Sequence, residues 1–203
     1  MAFLKSDGSA KMPDMQLLFR VAPMDAGPYL APFKPAYPDG FGCRPTPLRP
    51  ESRGAIRLAS SDPFNAPRIE IDFLATDQDL RMVRSGIRMA REIFNQSAVR
   101  AYTSVEIAPG PDKTSDTDLD AYARATATTV YHPLGTCKMG PESDDGAVVD
   151  PQLRVRGIDQ LRVVDASVMP DLVGGNINAP VIMIAERAAD LIRDQRPLAP
   201  VAV

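Results

Sequence analysis

The chain carries its only histidine in one short motif, His132-Pro133-Leu134-Gly135-Thr136-Cys137-Lys138-Met139-Gly140. An imidazole readily takes up and releases a proton near neutral pH, so His132 is the one such group available for acid–base chemistry. A histidine beside proline and glycine is equally compatible with a buried histidine that bonds a backbone carbonyl. The neighbouring segments therefore have to distinguish a catalytic from a structural histidine.

A second segment, Leu161 to Pro170, predicts an apolar strand that ends in Asp165-Ala166-Ser167. Small polar residues at the carboxyl end of a strand often contact ligands in open α/β sheets, and an Asp there can accept a bond from a hydroxyl or an amide. An ordinary turn or helix cap is the alternative explanation of the same residues, and the residues by themselves favour it. The role of Asp165 stays open on this evidence alone.

The third segment, Gly174 to Pro180, leads into a predicted helix with Asn178 or Ala179 as N-cap and Pro180 in its first turn. An apolar stripe follows at helical spacing: Val181, Ile184, Ala185, Ala188 and Leu191. The positive end of the helix dipole would point back toward Asn176, where an anion or an electron-rich ring could bind. A capped structural helix after a tight turn would leave the two asparagines without a role.

Taken together, these segments resemble the C-terminal signature of the glucose-methanol-choline (GMC) oxidoreductases. The resemblance rests on motif order and spacing. The matching segments are His132-Pro133-x-Gly135-Thr136-x-x-Met139-Gly140, Val149-Asp150-Pro151-x-Leu153-Arg154-Val155-x-Gly157, Leu161-Arg162-Val163-x-Asp165-Ala166-Ser167-x-Met169-Pro170 and Asn176-x-Asn178-Ala179. Upstream, Pro13 to Gln16, Ser52 to Gly54 and Ser61 to Pro63 resemble substrate-domain segments of the same family.

The resemblance implies an enzyme that oxidises a CH–OH group of a small alcohol with FAD as cofactor. His132 would help to remove the hydroxyl proton, and Asn176 would bind the same oxygen. Asp165 and Ala166 would contact the ribityl-diphosphate part of FAD. The isoalloxazine ring would be lined by Asn176, Ile177, Asn178, Ala179 and Pro180, and no metal is expected.

The chain departs from the family in having no GxGxxG fingerprint, which binds the diphosphate in the N-terminal flavin domain. The resemblance therefore implies a C-terminal substrate-binding domain over residues 1–160 and a return segment to the flavin domain over residues 161–203. The N-terminal FAD-binding domain would be supplied in cis or in trans. Without it, the apolar stripe of the last helix is predicted to be exposed and to cause association. A non-catalytic remnant or interaction module is the alternative, and a stand-alone enzyme with another cofactor is disfavoured.

The predicted fold class is α+β. Strands are predicted at residues 15–21, 55–59 and 68–72 as parts of one antiparallel sheet. A helix from Thr76 to Asn95, with Thr76 and Asp79 as a capping box, would cover that sheet, and a shorter helix is predicted near residues 118–125. The last strand and helix would normally complete the FAD-binding domain.

Composition limits the remaining possibilities. With 23 basic and 26 acidic residues the chain has a net charge of -3, and no basic run suggests nucleic acid binding. No segment has the roughly 20 apolar residues of a membrane span. The two cysteines, Cys43 and Cys137, are too few for a disulfide framework, which favours a cytoplasmic protein.

Overall fold

The computed structural model describes residues 1–23, 26, 27, 30, 32–37, 39–196 and 199. The chain divides into two compact units, the first of Met1–Gly54 with Ile71–Thr128 and the second of Ala55–Glu70 with Thr129–Val203. Antiparallel sheets and helices make up the described chain, so the predicted α+β class is confirmed. The predicted boundary between residues 160 and 161 stays a prediction, and residues 197, 198 and 200–203 of the return segment lie outside the described residues.

The sheet of the first unit has three antiparallel strands in the order β1 (Ala2–Leu4), β2 (Met15–Arg20) and β3 (Gly42–Pro47). Met15 and Leu17 of β2 are buried in the core of this unit. Strand β3 contains two prolines, Pro45 and Pro47. Pro45 and Pro47 are tolerated because β3 is an edge strand, where a missing N–H breaks no ladder bond.

Helix α1 (Asp77–Phe94) packs against β2 and β3, and its start shows why the sequence predicted it so well. The Thr76 hydroxyl accepts from the backbone N–H of Asp79 at 3.2 Å, as expected of an N-cap. The Asp79 carboxylate does not complete a capping box. It is buried and accepts from the backbone N–H groups of Glu51 (2.8 Å) and Ser52 (3.0 Å) and from the Ser52 hydroxyl. The carboxylate thereby fixes the loop that precedes Arg53.

Two further helices complete the first unit, α2 (Ser97–Arg100) and α3 (Asp116–Thr126). The third helix begins two residues earlier than predicted, with Ser115 as its N-cap. Arg84 of α1 donates to both carboxylate oxygens of Asp120 at 2.6 and 2.7 Å. Because only 14% of the Arg84 side chain is exposed, this ion pair is screened less than a surface salt bridge.

The second unit contains a separate two-stranded hairpin, β4 (Ala55–Arg57) with β5 (Arg68–Glu70). The prediction that these strands share a sheet with residues 15–21 was wrong. Alternating burial identifies a strand but not its partner, because any antiparallel neighbour satisfies the same pattern. Ile56 lies opposite Ile69, and both are more than half exposed, at 54% and 64%.

In the rest of this unit, isolated β-bridges and single backbone hydrogen bonds connect the segments that surround a hydrophobic core. The buried residues of that core are Val149, Leu153, Val168, Met169, Ile177, Ile184 and Ala188. The prediction of a strand at Leu161–Val164 was wrong. Arg162 forms only an isolated β-bridge to Arg154. On either side of it, the Leu161 carbonyl and the Val163 N–H each take part in one backbone hydrogen bond. Residues 153–155 and 161–163 therefore pair over too short a length to form a strand.

Helix α4 (Asn178–Ile192) closes the second unit. The prediction that its apolar stripe would be exposed was wrong, since Ile184 and Ala188 are 9% and 1% exposed. They pack on the core formed by the second unit itself. Other apolar side chains of α4 are exposed instead, Ile182 at 53% and Met183 at 60%.

Candidate functional site

His132 lies in an irregular segment of the second unit. This segment follows α3 in sequence and extends to Cys137, whose N–H makes the next backbone–backbone hydrogen bond among the described residues. Its side chain is half-buried. The preceding residue, Tyr131, has a left-handed backbone with φ +63°, a conformation that costs a bulky residue roughly 1–2 kcal/mol. The Tyr131 N–H donates to the Thr129 hydroxyl at 2.8 Å, which stabilises this turn.

The motif downstream of His132 is paired to the Asp165 segment. The N–H of Cys137 donates to the carbonyl of Ser167 at 3.0 Å, and that of Met139 to the carbonyl of Val168 at 2.8 Å. Gly135 has φ +89°, and a Cβ atom there would lie 3.5 Å from the Met169 carbonyl oxygen. The glycine of the motif is therefore required by its left-handed backbone, which an L side chain would strain.

Asp165 caps a short 3₁₀ turn, Ala166–Val168, in which its carboxylate accepts from the Ser167 N–H at 2.7 Å. The same turn presents the carbonyls that bind Cys137 and Met139. Asp165 is exposed and Ala166 half-buried against the core. Asp165 thus caps a turn, which was one of its two possible roles. A contact of its carboxylate with FAD stays a prediction.

The start of α4 differs in detail from the prediction. The helix begins at Asn178, with Ile177 as N-cap, so neither Asn178 nor Ala179 takes that position. Ile177 offers no side-chain oxygen, so the N-cap residue itself makes no side-chain cap hydrogen bond. Pro180 lies in the first turn, as predicted, where its missing N–H removes no helical bond.

Three predicted segments converge on the core of the second unit. Leu134, two residues after His132, packs against the same core as Ala166 and Ile177. Ile177 is buried there, whereas its neighbours Asn176, Asn178 and Ala179 are exposed. The segments that contain His132, Asp165 and Asn176 therefore all pack against the hydrophobic core of the second unit.

The residues at the start of α4 fit an electron-rich ring system such as a flavin. The N-cap residue, Ile177, makes no side-chain cap hydrogen bond, and the first turn lies at the positive end of the helix dipole. Gly175 has no atom within 4 Å of where a Cβ would stand, so the approach to this turn is open. Among the described residues no cluster of His, Cys, Asp or Glu could hold a metal ion.

Sequence reasoning missed the side chains that brace the motif. Lys138 donates to the Asp144 carboxylate at 2.9 and 3.2 Å, and Arg156 donates to the carbonyl of Gly140 at 2.8 Å. The Lys138 hydrogen bond, followed by that from the Gly146 N–H, lowers the pKa of Asp144 below its ordinary value. Thr129, whose hydroxyl accepts from the Tyr131 N–H, is a further such side chain. The Thr-x-Tyr sequence before His132 was the available signal for it, because a threonine hydroxyl often accepts the N–H of the residue two positions later in a turn.

Comparison with known proteins identifies the family. The model of the GMC oxidoreductase family matches residues 50–185, about two thirds of the chain. The chain belongs to the GMC oxidoreductases and corresponds to their C-terminal part, as the motif order predicted.

Individual relatives agree with this assignment. The chain is 43% identical to the oxygen-dependent choline dehydrogenase of Photobacterium profundum, over 98% of this chain and 34% of that protein. The crystal structure of pyridoxine 4-oxidase from Mesorbium loti superposes with a TM-score of 0.82 and 30% identity, over 97% of this chain and 38% of that one. An FAD-dependent oxidoreductase from Chaetomium thermophilum gives a TM-score of 0.69 and 34% identity, over 78% and 27%.

The chain spans about a third of the length of the relatives that it matches. Both cysteines are free thiols. No described helix is long and apolar enough to cross a membrane.

Proposed function

We propose that this chain provides the substrate-side catalytic residues of an FAD-dependent oxidoreductase that acts on the CH–OH group of an alcohol. The observation that carries the proposal is the convergence of the His132, Asp165 and Asn176 segments on one core beside the start of α4. When bound, FAD supplies the acceptor for the hydride that leaves the alcohol carbon. Every other step falls to side chains and backbone groups.

His132 acts as the general base. Its imidazole accepts the hydroxyl proton as the carbon–hydrogen bond breaks, so that the alcohol becomes a carbonyl compound and one proton stays on the ring. A half-buried position suits this role because a general base has to combine partial shelter from water with access to the substrate. As the chain's only histidine, His132 has no substitute within the sequence.

Asn176 binds the same substrate oxygen through its amide group. Its side chain is exposed, and the adjoining Ile177 is buried in the core, so the residue is presented from a fixed backbone. Two groups on one oxygen orient the reacting carbon, and orientation accounts for a large share of catalysis in such reactions. Asp165 contributes by shaping the turn that holds Cys137 and Met139.

The start of α4 holds the electron-rich edge of the cofactor. Its positive dipole end favours the negative charge that accompanies hydride arrival. This role involves Asn178 and Ala179 through their backbones, so their side chains matter less than the helix position. The N-terminal FAD-binding domain, in cis or in trans, supplies the rest of the cofactor site.

The decisive test is a chimera in which this chain replaces the matching third of the Photobacterium profundum choline dehydrogenase. Because that relative is named for choline, choline is the first alcohol to test. We expect the chimera to bind FAD and to lose flavin absorbance when choline or another alcohol is added without oxygen.

The variant His132→Gln should slow this bleaching by about 10²- to 10⁴-fold. Asp194→Asn, at an exposed position outside the proposed site, serves as control and should leave it unchanged. A chimera that binds FAD and is bleached by none of a panel of alcohols would favour the alternative, a non-catalytic remnant or interaction module.

A further inference from the structure

We infer that Thr129 is a positioning residue for His132: its hydroxyl holds Tyr131 in the left-handed conformation that sets the direction in which the chain enters His132. This inference rests on the proposed catalytic role of His132. It adds a residue that lies outside the family motif, which begins at His132.

The backbone around His132 has few other supports. Among the described residues, no N–H or carbonyl between residues 128 and 136 takes part in a backbone–backbone hydrogen bond. The bond from the Tyr131 N–H to the Thr129 hydroxyl, at 2.8 Å, lies in the middle of this stretch. On its upstream side, a candidate base that must stay within hydrogen-bond reach of a substrate therefore depends on one side-chain acceptor.

Tyr131 needs such a support because its backbone is unfavourable by itself. A tyrosine at φ +63° lies in the region that glycine and asparagine prefer. Its side chain is 82% exposed, so burial of the ring does not compensate for the backbone conformation. The Thr129 hydroxyl is the group in contact with Tyr131 that stabilises the turn.

The other side of His132 is fixed by different means. Pro133 restricts the backbone of His132 to extended conformations, and Leu134 packs against the core of the second unit. Downstream of His132, the chain is constrained by the proline ring and by core packing. Upstream, it is constrained by the hydrogen bond from the Tyr131 N–H to the Thr129 hydroxyl. Loss of that bond should free the orientation of His132 without disturbing the core.

The isolated chain allows a test that needs no activity. His132 is the only histidine, so the chain gives one set of imidazole signals in nuclear magnetic resonance spectra. Thr129→Val keeps the branched shape but removes the acceptor, and Thr129→Ser keeps the acceptor. We expect Thr129→Val to broaden or split the imidazole signals and to lower the backbone order parameters of residues 130–132, with Thr129→Ser close to the wild type.

A second background isolates the left-handed turn. In Tyr131→Gly the conformation carries no steric cost, so the added effect of Thr129→Val should be smaller than in the wild type. Equal effects of Thr129→Val in both backgrounds would contradict a role through Tyr131. Identical spectra for the wild type and Thr129→Val would overturn the inference.

The chimera described above supplies the kinetic measurement. Thr129→Val should lower kcat about 5- to 10-fold with less than about a twofold change in KM, because the substrate site persists while the base is misdirected. Thr129→Ser should recover most of kcat. A fall in folded yield with unchanged kcat would show a merely structural role and overturn the inference. If the wild-type chimera is inactive, the proposed function fails, and the spectra of the isolated chain still decide the role of Thr129.

Discussion

Replacement of Gly86 by alanine is expected to destabilise the first unit, although the same change stabilises most helices. Gly86 is buried in α1, and an added Cβ would stand 2.5 Å from Cβ of Pro45 and 3.1 Å from Sδ of Met15. Met15 can adjust its flexible side chain. The ring of Pro45 is fixed in β3, so the helix and the sheet would have to separate.

The two opposing contributions can be compared. Alanine in a helix interior is favoured over glycine by about 0.5–1 kcal/mol. Overpacking of a closely packed core costs typically about 1–3 kcal/mol, and the 2.5 Å approach to a rigid ring places this site toward the upper end. The net expectation is a loss of about 1–2 kcal/mol in the free energy of unfolding.

Urea unfolding followed by circular dichroism measures this loss directly. The matched control is Gly8→Ala, because an added Cβ at Gly8 meets no atom within 4 Å. The control should change the free energy of unfolding by less than about 0.5 kcal/mol. A Gly86→Ala variant as stable as the wild type, or more stable, would refute the packing of α1 against β3 at Pro45.

Two further predictions concern the second unit. Because the folded-state pKa of Asp144 lies below its ordinary value of 3.8, its contact with Lys138 stabilises the fold above that pH and is lost as the pH falls through the folded-state pKa. Lys138→Met should therefore be destabilising near neutral pH, and this loss of unfolding free energy should shrink as the pH falls below 3.8, which urea unfolding at a series of pH values would show; a difference that stays constant with pH would contradict this. The hairpin exposes Phe64 at 95% and Ile69 at 64%, so Phe64→Ser with Ile69→Thr should reduce association of the chain, measured by analytical ultracentrifugation, whereas Arg57→Lys on the opposite face should not. A wild-type chain that sediments as a single monomer would contradict the second expectation.

The elements best predicted from the sequence are those with local signals. Helix α1 combines an apolar stripe with the Thr76 cap, and both act within a few residues of the chain. The family motif is equally local, since its glycine and proline positions each need a particular backbone conformation. Local patterns carry this information because the interactions that they describe close over three or four residues.

Long-range pairings were predicted less well, for a physical reason. The alternation at Ala55–Arg57 and Arg68–Glu70 fits any antiparallel partner, so the sequence could not separate the hairpin from the sheet of the first unit. The apolar stripe of α4 likewise shows that a partner exists without identifying it. The structure supplies that partner from the second unit itself, at Val168 and Met169.

The side-chain caps show most clearly what a sequence leaves open. Thr129, Asp165 and Asp79 each accept backbone N–H groups in loops, and only the first two do so two residues along the chain. Serine, threonine and aspartate are so frequent in loops that their presence does not identify which oxygen is structurally required. The requirement becomes visible only where the surrounding backbone lacks backbone–backbone hydrogen bonds to the described residues, as it does between residues 128 and 136 around His132. The candidate base is therefore recognisable from its motif, whereas the Thr-x-Tyr signal before it becomes specific only when the structure shows the hydrogen bond from Tyr131 to Thr129.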